Sequence, residues 1–544
     1  MYKYKIDSKR LTIVCITFFV VLMILGVRLY FLMIYPSNLV QGELEAHQLE
    51  YTSNNNYKIF DTEGNELIKY NKKYVMVLDT KPFKLNNYEE TLEDLLALNF
   101  IMKTEDSTFN FSDIMQTEGK FYYTITEETY NKINKLTNIK GIYCYEYDEL
   151  DLKERWKIEN AIASIDVDNV VEGSFEEKIA DIIKENEYPN KSFSLDNKSI
   201  YYTSKTDEGE ENKNIRLTIN NAWTEKIREV LNREEYSFLS NIGVVLLEAD
   251  TGKIRAMVQK DETEANVNLG IGLLGYEPGS IFKTLTDSIA LNEGLITNND
   301  TFECTGEICT KLGEKYAHGP LTVNEALQVS CNDVFAQVGN LAGYDTMLKY
   351  TTNLGLYSKV LGFSGENREE AVGSMPPAGE GVSNFSIGQS LTVTPLQMAG
   401  AINAITNDGV YIKPTLIEAI VDNDNNIIEK TQEEERRVFS STTAKIVQNA
   451  MHDVIWKGTG YEAKVEGINQ GGKTGTSTGT ASDGSKTNHG WFAGYFELGE
   501  HKYTLVVIAP NIPDMHPDGR ELGGGNTGAP IYRQIIYSLM DEEW

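Results

Sequence analysis

Apolar residues run along this chain in three successive rhythms. Residues 11–27 (LTIVCITFFVVLMILGV) carry no charge, and after Arg28 the apolar run resumes over residues 29–34. That length fits one crossing of a bilayer. Lys3, Lys5, Lys9 and Arg10 precede the run, and such a positive excess holds an N-terminus in the cytoplasm and sends the downstream chain outside. The expectation is a cytoplasmic tail at 1–10, a retained single-pass anchor at 11–34 in the cell membrane, and an extracytoplasmic remainder. A cleaved signal peptide is the competing reading, but the run exceeds a usual apolar h-region and no A-x-A-like site comes after it.

Residues 35–214 are polar, rich in Asn, Glu, Lys and Tyr, with short apolar runs at 74–78 and 140–145. They predict an α+β module, ending in a charged linker at 205–214 (KTDEGEENKN). From 215 to 544 the patterns sharpen. Residues 222–232 predict a helix, and 243–258 (GVVLLEADTGKIRAMV) two strands joined by a turn at Asp250-Thr251-Gly252. Helices are expected at 281–292, 323–338 and 395–406, strands at 490–497 and 502–511, and a closing helix at 529–540. Strands from both ends of a domain with helices between them make an α/β sandwich.

Composition narrows the function classes. The 544 residues exceed one ordinary core and suggest two or three domains. With 41% hydrophobic and 10% aromatic residues the chain can bury those cores. A formal charge of −30 argues against nucleic acid or an anionic membrane surface as the main partner, since either would be repelled. The five cysteines (Cys15, Cys144, Cys304, Cys309 and Cys331) are too few for a disulfide scaffold, and Cys15 lies within the apolar N-terminal run.

Three short motifs carry chemistry. Ser280-Ile281-Phe282-Lys283 comes directly after Pro278-Gly279 and opens a helix, a spacing that puts hydroxyl and ammonium on one face. A serine hydroxyl needs a base to become a nucleophile, and a desolvated lysine beside other cations can serve. Ser330-Cys331-Asn332 brings a hydroxyl and a carboxamide to one site if the helix breaks or begins there. Gly471-Gly472-Lys473-Thr474-Gly475-Thr476-Ser477, a little before a strand-like segment, combines a closely approachable backbone with groups suited to a carboxylate. Residues 467–474 (GINQGGKT) also satisfy the phosphate-loop pattern letter for letter. That loop must run into a helix, whereas residues 477–485 (STGTASDGS) read as turn.

In this order the motifs resemble the active site of the serine penicillin-recognising enzymes. Residues 386–409 (SIGQSLTVTPLQMAGAINAITNDG) and 489–496 (HGWFAGYF) are similar to stretches typical of class B penicillin-binding proteins, and 59–67 (IFDTEGNEL) to the segment that begins their membrane-proximal pedestal. The arginine-glycine pair usual just before that segment is replaced by Asn56-Tyr57-Lys58. The likeness is specific from about 215 to 544 and loose from 35 to 214, and no glycosyltransferase-like domain precedes the pedestal.

The resemblance implies a transpeptidase domain at 215–544, with a five-stranded antiparallel sheet between helices, on a pedestal or dimerisation-like domain at 35–214. It implies that Ser280 attacks D-Ala-D-Ala stem peptides of peptidoglycan with Lys283 as base. Ser330, Asn332 and Lys473 would complete the catalytic set, Thr474, Gly475 and Thr476 would hold the substrate, and the N–H groups of Ser280 and Thr476 would form the oxyanion hole. β-Lactams would acylate Ser280, and a membrane glycosyltransferase would be a partner. A membrane-anchored β-lactamase or β-lactam sensor of the same fold is the alternative.

One further cluster stands outside these motifs. Cys304, Cys309 and His318 lie within fifteen residues, and Asp287 falls on the helical face shared with Ser280 and Lys283. An unpaired carboxylate there would pay desolvation unless a cation were near. The expectation is a structural zinc held by Asp287, Cys304, Cys309 and His318. A Cys304–Cys309 disulfide and Cys331 as fourth ligand remain open.

Overall fold

The computed structural model describes residues 8–34, 47–264, 269, 272, 275–311, 314–365, 368–379, 381–480 and 486–540. Of the expected segments, the tail through residue 7, the first part of the 35–214 module and the last four residues lie outside this set.

Helix α1 (Ser8–Ile34) contains the apolar stretch Thr12–Tyr30, none of it buried by the rest of the chain. At 1.5 Å per residue its length of about 40 Å is sufficient for a hydrocarbon core. The chain divides into two compact units, Met1–Asn56 with Tyr70–Glu149 and Glu187–Glu210, and Tyr57–Lys69 with Leu150–Asn186 and Glu211–Trp544.

The smaller unit is built on a sheet of Lys120–Ile125, Tyr70–Asp79 and Ile142–Leu150, in that order. Helix α2 (Tyr88–Glu105), capped by the Asn87 side chain, lays Leu95, Leu98 and Met102 on Met76 and Leu78. A second sheet joins His47–Tyr51, Asn190–Leu195 and Tyr201–Asp207. The segment expected as a linker is therefore shorter than its charge suggests, because strands run to Asp207 and resume at Asn214.

Residues 57–69 and 150–186 pack with the larger unit, although the sequence pattern groups them with the polar module. Ile59–Phe60 pairs in parallel with Asn214–Leu217. Phe175 stacks on Phe363 at 4.3 Å, and the Glu176 carboxylate accepts from the Ser364 and Gly365 amides. These long-range contacts leave no trace in local composition.

The larger unit is organised by five strands, β1 (Gly243–Glu248), β2 (Ile254–Gln259), β3 (Gln470–Thr480), β4 (Lys486–Leu498) and β5 (His501–Ile512), in the order β2-β1-β5-β4-β3 with every pair antiparallel. Along β1, Val244 and Leu246 turn to one face, where α3 (Asn221–Leu231) and the closing helix (Gly528–Met540) meet Phe492, Phe496, Leu505 and Val507. Between the two ends of the sheet come α4 (Lys283–Asn292), α5 (Val323–Gln328), α6 (Asn332–Ala342), α7 (Pro395–Thr406) and α8 (Ser441–Lys457), with Gly528–Met540 as α9. Helices α7 and α8 cover the opposite face: Thr504 donates to Asn403 of α7 at 2.8 Å and Tyr495 donates to the Gln448 carbonyl of α8 at 3.1 Å. Helices α4, α5 and α6 share a core of Ala290, Val323, Leu327, Val334 and Phe335 with Val454 of α8.

Two expectations need correction. The helix expected at 323–338 is broken, with α5 ending at Gln328 and α6 starting at Asn332, because Ser330 takes a left-handed conformation with φ 57°. The Lys473-Thr474-Gly475 run precedes the strand β4 as expected, but the run and residues 477–480, expected as turn, themselves form a strand, β3, which pairs with β4 from Gln470 to Thr480. Ladder hydrogen bonds from a buried neighbour override the weak strand preference of Gly, Ser and Thr.

Leu246 is fully buried between the sheet and its helices. Leu246→Ala is expected to destabilise the larger unit by about 2–5 kcal/mol, read as a lowered denaturant midpoint with unchanged slope.

Candidate active site

Ser280 sits on a single 3₁₀ turn, Gly279–Phe282, that leads directly into α4. Ile281 and Phe282 are fully buried and pin this turn. Gly279 has φ +56°, and a Cβ there would stand 2.6 Å from the Thr476 carbonyl oxygen. Only glycine lets the turn press against β3 in that conformation. The sheet edge and the turn are thereby held together.

Lys283, one turn on, is fully buried, and its Nζ donates to Ser280 Oγ at 3.0 Å, the Ser330 carbonyl at 2.7 Å, Ser330 Oγ at 3.2 Å and Asn332 Oδ1 at 2.6 Å. Burial lowers its pKa to about 7, with the thiols of Cys331 and Cys309 opposing the shift. The break between α5 and α6 supplies these acceptors, since the left-handed Ser330 turns both its carbonyl and hydroxyl toward Lys283. Asn332 is the first residue of α6, and Cys331 caps that helix by accepting from the Val334 amide.

Lys473 approaches from β3. Its Nζ donates to Ser330 Oγ at 3.0 Å and to the Thr474 carbonyl at 2.8 Å. Burial, reinforced by Lys283, lowers its pKa well below that of a free lysine. Ser330 Oγ thus stands between two lysine side-chain nitrogens. The phosphate-loop reading of 467–474 fails here, because this stretch enters a β-strand rather than a helix.

Ser280, Ser330, Thr474 and Thr476 open into one cleft of about 480 Å³. The rest of its lining comes from residues the motifs did not single out: Thr459, whose hydroxyl meets that of Thr474 at 2.9 Å, and the segment from Glu521 to Asn526. The Gly524 amide donates to Thr476 Oγ1 at 3.1 Å, and a side chain at Gly524 would run into the Gly475 and Trp491 carbonyls. The run Gly523-Gly524-Gly525 was the legible sign of such a close backbone approach. Thr459 carries no such sign. Glu277 is another contributor outside the motifs: its carbonyl accepts from Ser477 Oγ at 2.6 Å and Trp491 Nε1 at 3.1 Å, tying the turn to β3 and β4.

Behind the Ser330–Asn332 turn the structure gathers Cys304, Cys309, His318 and Cys331, one donor atom from each lying within 4.8 Å of the others. Cys304 Sγ is 3.4 Å from His318 Nδ1 and 3.8 Å from Cys309 Sγ, and Cys309 Sγ is 3.6 Å from Cys331 Sγ. The Cys304–Cys309 disulfide left open by the sequence is not formed; both are free thiols. A hydrogen bond from Cys331 pulls the Cys309 thiol toward its thiolate and holds Cys331 protonated.

Asp287, expected as a ligand, is not in this cluster, and Cys331 takes its place. The helix-face argument placed Asp287 correctly inward but did not fix its depth along α4. Its carboxylate is fully buried without a hydrogen bond among the described residues, and burial raises its pKa to about 7.

Known proteins share this architecture. The penicillin binding protein transpeptidase domain model matches residues 242–537. Stage V sporulation protein D of Bacillus subtilis is 30% identical over 289 residues, which cover 49% of this chain and 42% of that protein. PbpB of Mycobacterium tuberculosis is 30% identical over 298 residues, covering 49% and 41%. The match thus spans less than half the length of these curated relatives. A solved peptidoglycan synthetase from Bifidobacterium adolescentis has the same fold, with a TM-score of 0.63 at 18% identity over 91% of this chain and 96% of that one. Penicillin binding protein 3 of Mycobacterium tuberculosis, complexed with aztreonam, gives 0.60 at 19% identity over 91% and 96%. With more than half of its length matched by the family model, and with the three motifs meeting in one cleft, the chain belongs to the penicillin-binding protein transpeptidase family.

Proposed function

We propose that this chain is a class B penicillin-binding protein, a serine D,D-transpeptidase that cross-links peptidoglycan stem peptides through an acyl-enzyme on Ser280. The observation that carries the reading is Lys283 Nζ, buried and 3.0 Å from Ser280 Oγ. A lysine that titrates near neutrality can be unprotonated when substrate arrives and accept the serine proton.

In this mechanism Ser280 Oγ bonds to the carbonyl carbon between two D-alanines while its proton passes to Lys283. The Ser280 and Thr476 amides stabilise the oxyanion. Ser330, between Lys283 and Lys473, delivers a proton to the departing D-alanine nitrogen as the C–N bond breaks. Lys473, Thr474, Gly475 and Thr476 hold the terminal carboxylate, and Asn332 orients the peptide. An amine of a neighbouring stem then attacks the ester, forming the cross-link and returning the proton to Ser280. A β-lactam enters by the same first step.

The apolar stretch Thr12–Tyr30 of α1, with Lys3, Lys5, Lys9 and Arg10 before it, supports a single-pass anchor with the catalytic domain outside. On this reading residues 35–214 form the pedestal module, and a membrane glycosyltransferase is the partner expected of a class B protein. Cys304, Cys309, His318 and Cys331 form a donor set suited to a tetrahedral zinc ion, which would brace the Ser330–Asn332 turn from behind.

Ser280→Ala is expected to abolish covalent labelling by a fluorescent penicillin; labelling that persists would overturn the assignment. A long-lived acyl-enzyme is expected, and rapid β-lactam turnover would favour the hydrolase alternative.

The acylation rate is expected to fall about tenfold per unit below pH 7, because Lys283 must be neutral and protonates there. A rate independent of pH between 5 and 8 would remove Lys283 as base.

Elemental analysis of the purified chain is expected to find one zinc per molecule, and chelation to lower the melting temperature. Absence of stoichiometric metal would exclude the site.

A further inference from the structure

We propose that Glu521 is a specificity-determining residue of the cleft, selecting acyl donors that carry a free side-chain ammonium close to the scissile bond. This rests on the transpeptidase reading and deepens it. Glu521 lines the same cleft as Ser280, Ser330 and Thr476, and among the described lining residues it is the one carboxylate and the one exposed charge. The two lysines of the catalytic floor are fully buried beneath it. Every other lining group is a hydroxyl, a carboxamide, a glycine or Leu522.

The backbone that carries Glu521 in the cleft lining is held by hydrogen bonds. The Glu521 carbonyl accepts from Asn526 Nδ2 at 2.7 Å, and the Leu522 amide donates to the Asp514 carbonyl at 3.1 Å while its side chain is buried in the core. The neighbouring cation is committed elsewhere: Arg520 pairs with Asp518 at 2.7 Å, and His516 Nδ1 lies 2.8 Å from the same carboxylate. Among the described residues the Glu521 carboxylate has neither ion pair nor hydrogen bond. An exposed, unpaired negative charge in an otherwise uncharged lining attracts a cation on the bound substrate and repels an anion. The donor's terminal carboxylate is held at Lys473, Thr474 and Thr476 in the transpeptidase mechanism. The positive group that Glu521 meets therefore belongs to another part of the donor, and a primary ammonium on a side chain is the fitting chemistry.

The test uses the full chain in detergent and two synthetic ester donors ending in D-alanyl-D-lactate, one preceded by a lysine with a free ε-amine and the other by its ε-acetylated form. The wild type is expected to favour the free amine by about fivefold in kcat/KM, the size of a partly exposed ion pair, with the preference shrinking at high salt. E521Q is expected to lose the preference and E521D to retain part of it. Because each variant is judged by the ratio of its two donors, a general loss of folded enzyme cancels. Equal use of both donors by the wild type, or a preference that survives in E521Q, would overturn the proposal. Failure of the wild type to be labelled at Ser280 by a fluorescent penicillin would instead bring down the transpeptidase reading, and this proposal with it.

Discussion

The site depends on Ser330 Oγ lying between two fully buried lysines, 3.2 Å from Lys283 and 3.0 Å from Lys473. Two ammonium charges this close in a dry environment cannot both persist: burial lowers the pKa of Lys283, and burial together with repulsion from Lys283 lowers that of Lys473. A neutral amine beside Ser280 results from that constraint, without any acidic partner to orient it.

The surrounding architecture keeps this arrangement dry and in register. The Gly279 turn presses against β3, the left-handed Ser330 breaks a helix so that its carbonyl and hydroxyl reach Lys283, and β3 brings Lys473 in from the sheet edge. Cys331 links the catalytic turn to the cluster behind it, since its neighbours Ser330 and Asn332 face Lys283 while its sulfur lies against Cys309.

Strong periodicity made most of the larger unit legible. The turn-linked β1 and β2, the long β4 and β5 and the closing helix fall where alternation and helical spacing put them. Errors came where a tertiary partner decided the conformation. Residues 323–338 read as one helix because their apolar spacing is continuous, yet the demand of Lys283 for acceptors coincides with a break at Ser330. Residues 477–480 read as turn because Gly, Ser and Thr dominate, yet pairing with β4 makes them strand. Thr459 left no signal, since a threonine opposite another threonine becomes meaningful only when the chain folds them together.

By itself the sequence determined an apolar span at the N-terminus, the two-sided sandwich, and the motif residues that meet at the cleft, because these depend on local hydrophobic rhythm and on side-chain types at short fixed spacings. Tertiary structure decided everything that depends on distances between remote segments. It exchanged Asp287 for Cys331 in the thiol and histidine cluster, because helical spacing gives direction but not depth. It also drew residues 57–69 and 150–186 into the larger unit and set Glu521 in the lining of the cleft that holds Ser280. Packing contacts made by chain segments far apart in sequence produce both results, and no window of local sequence contains them.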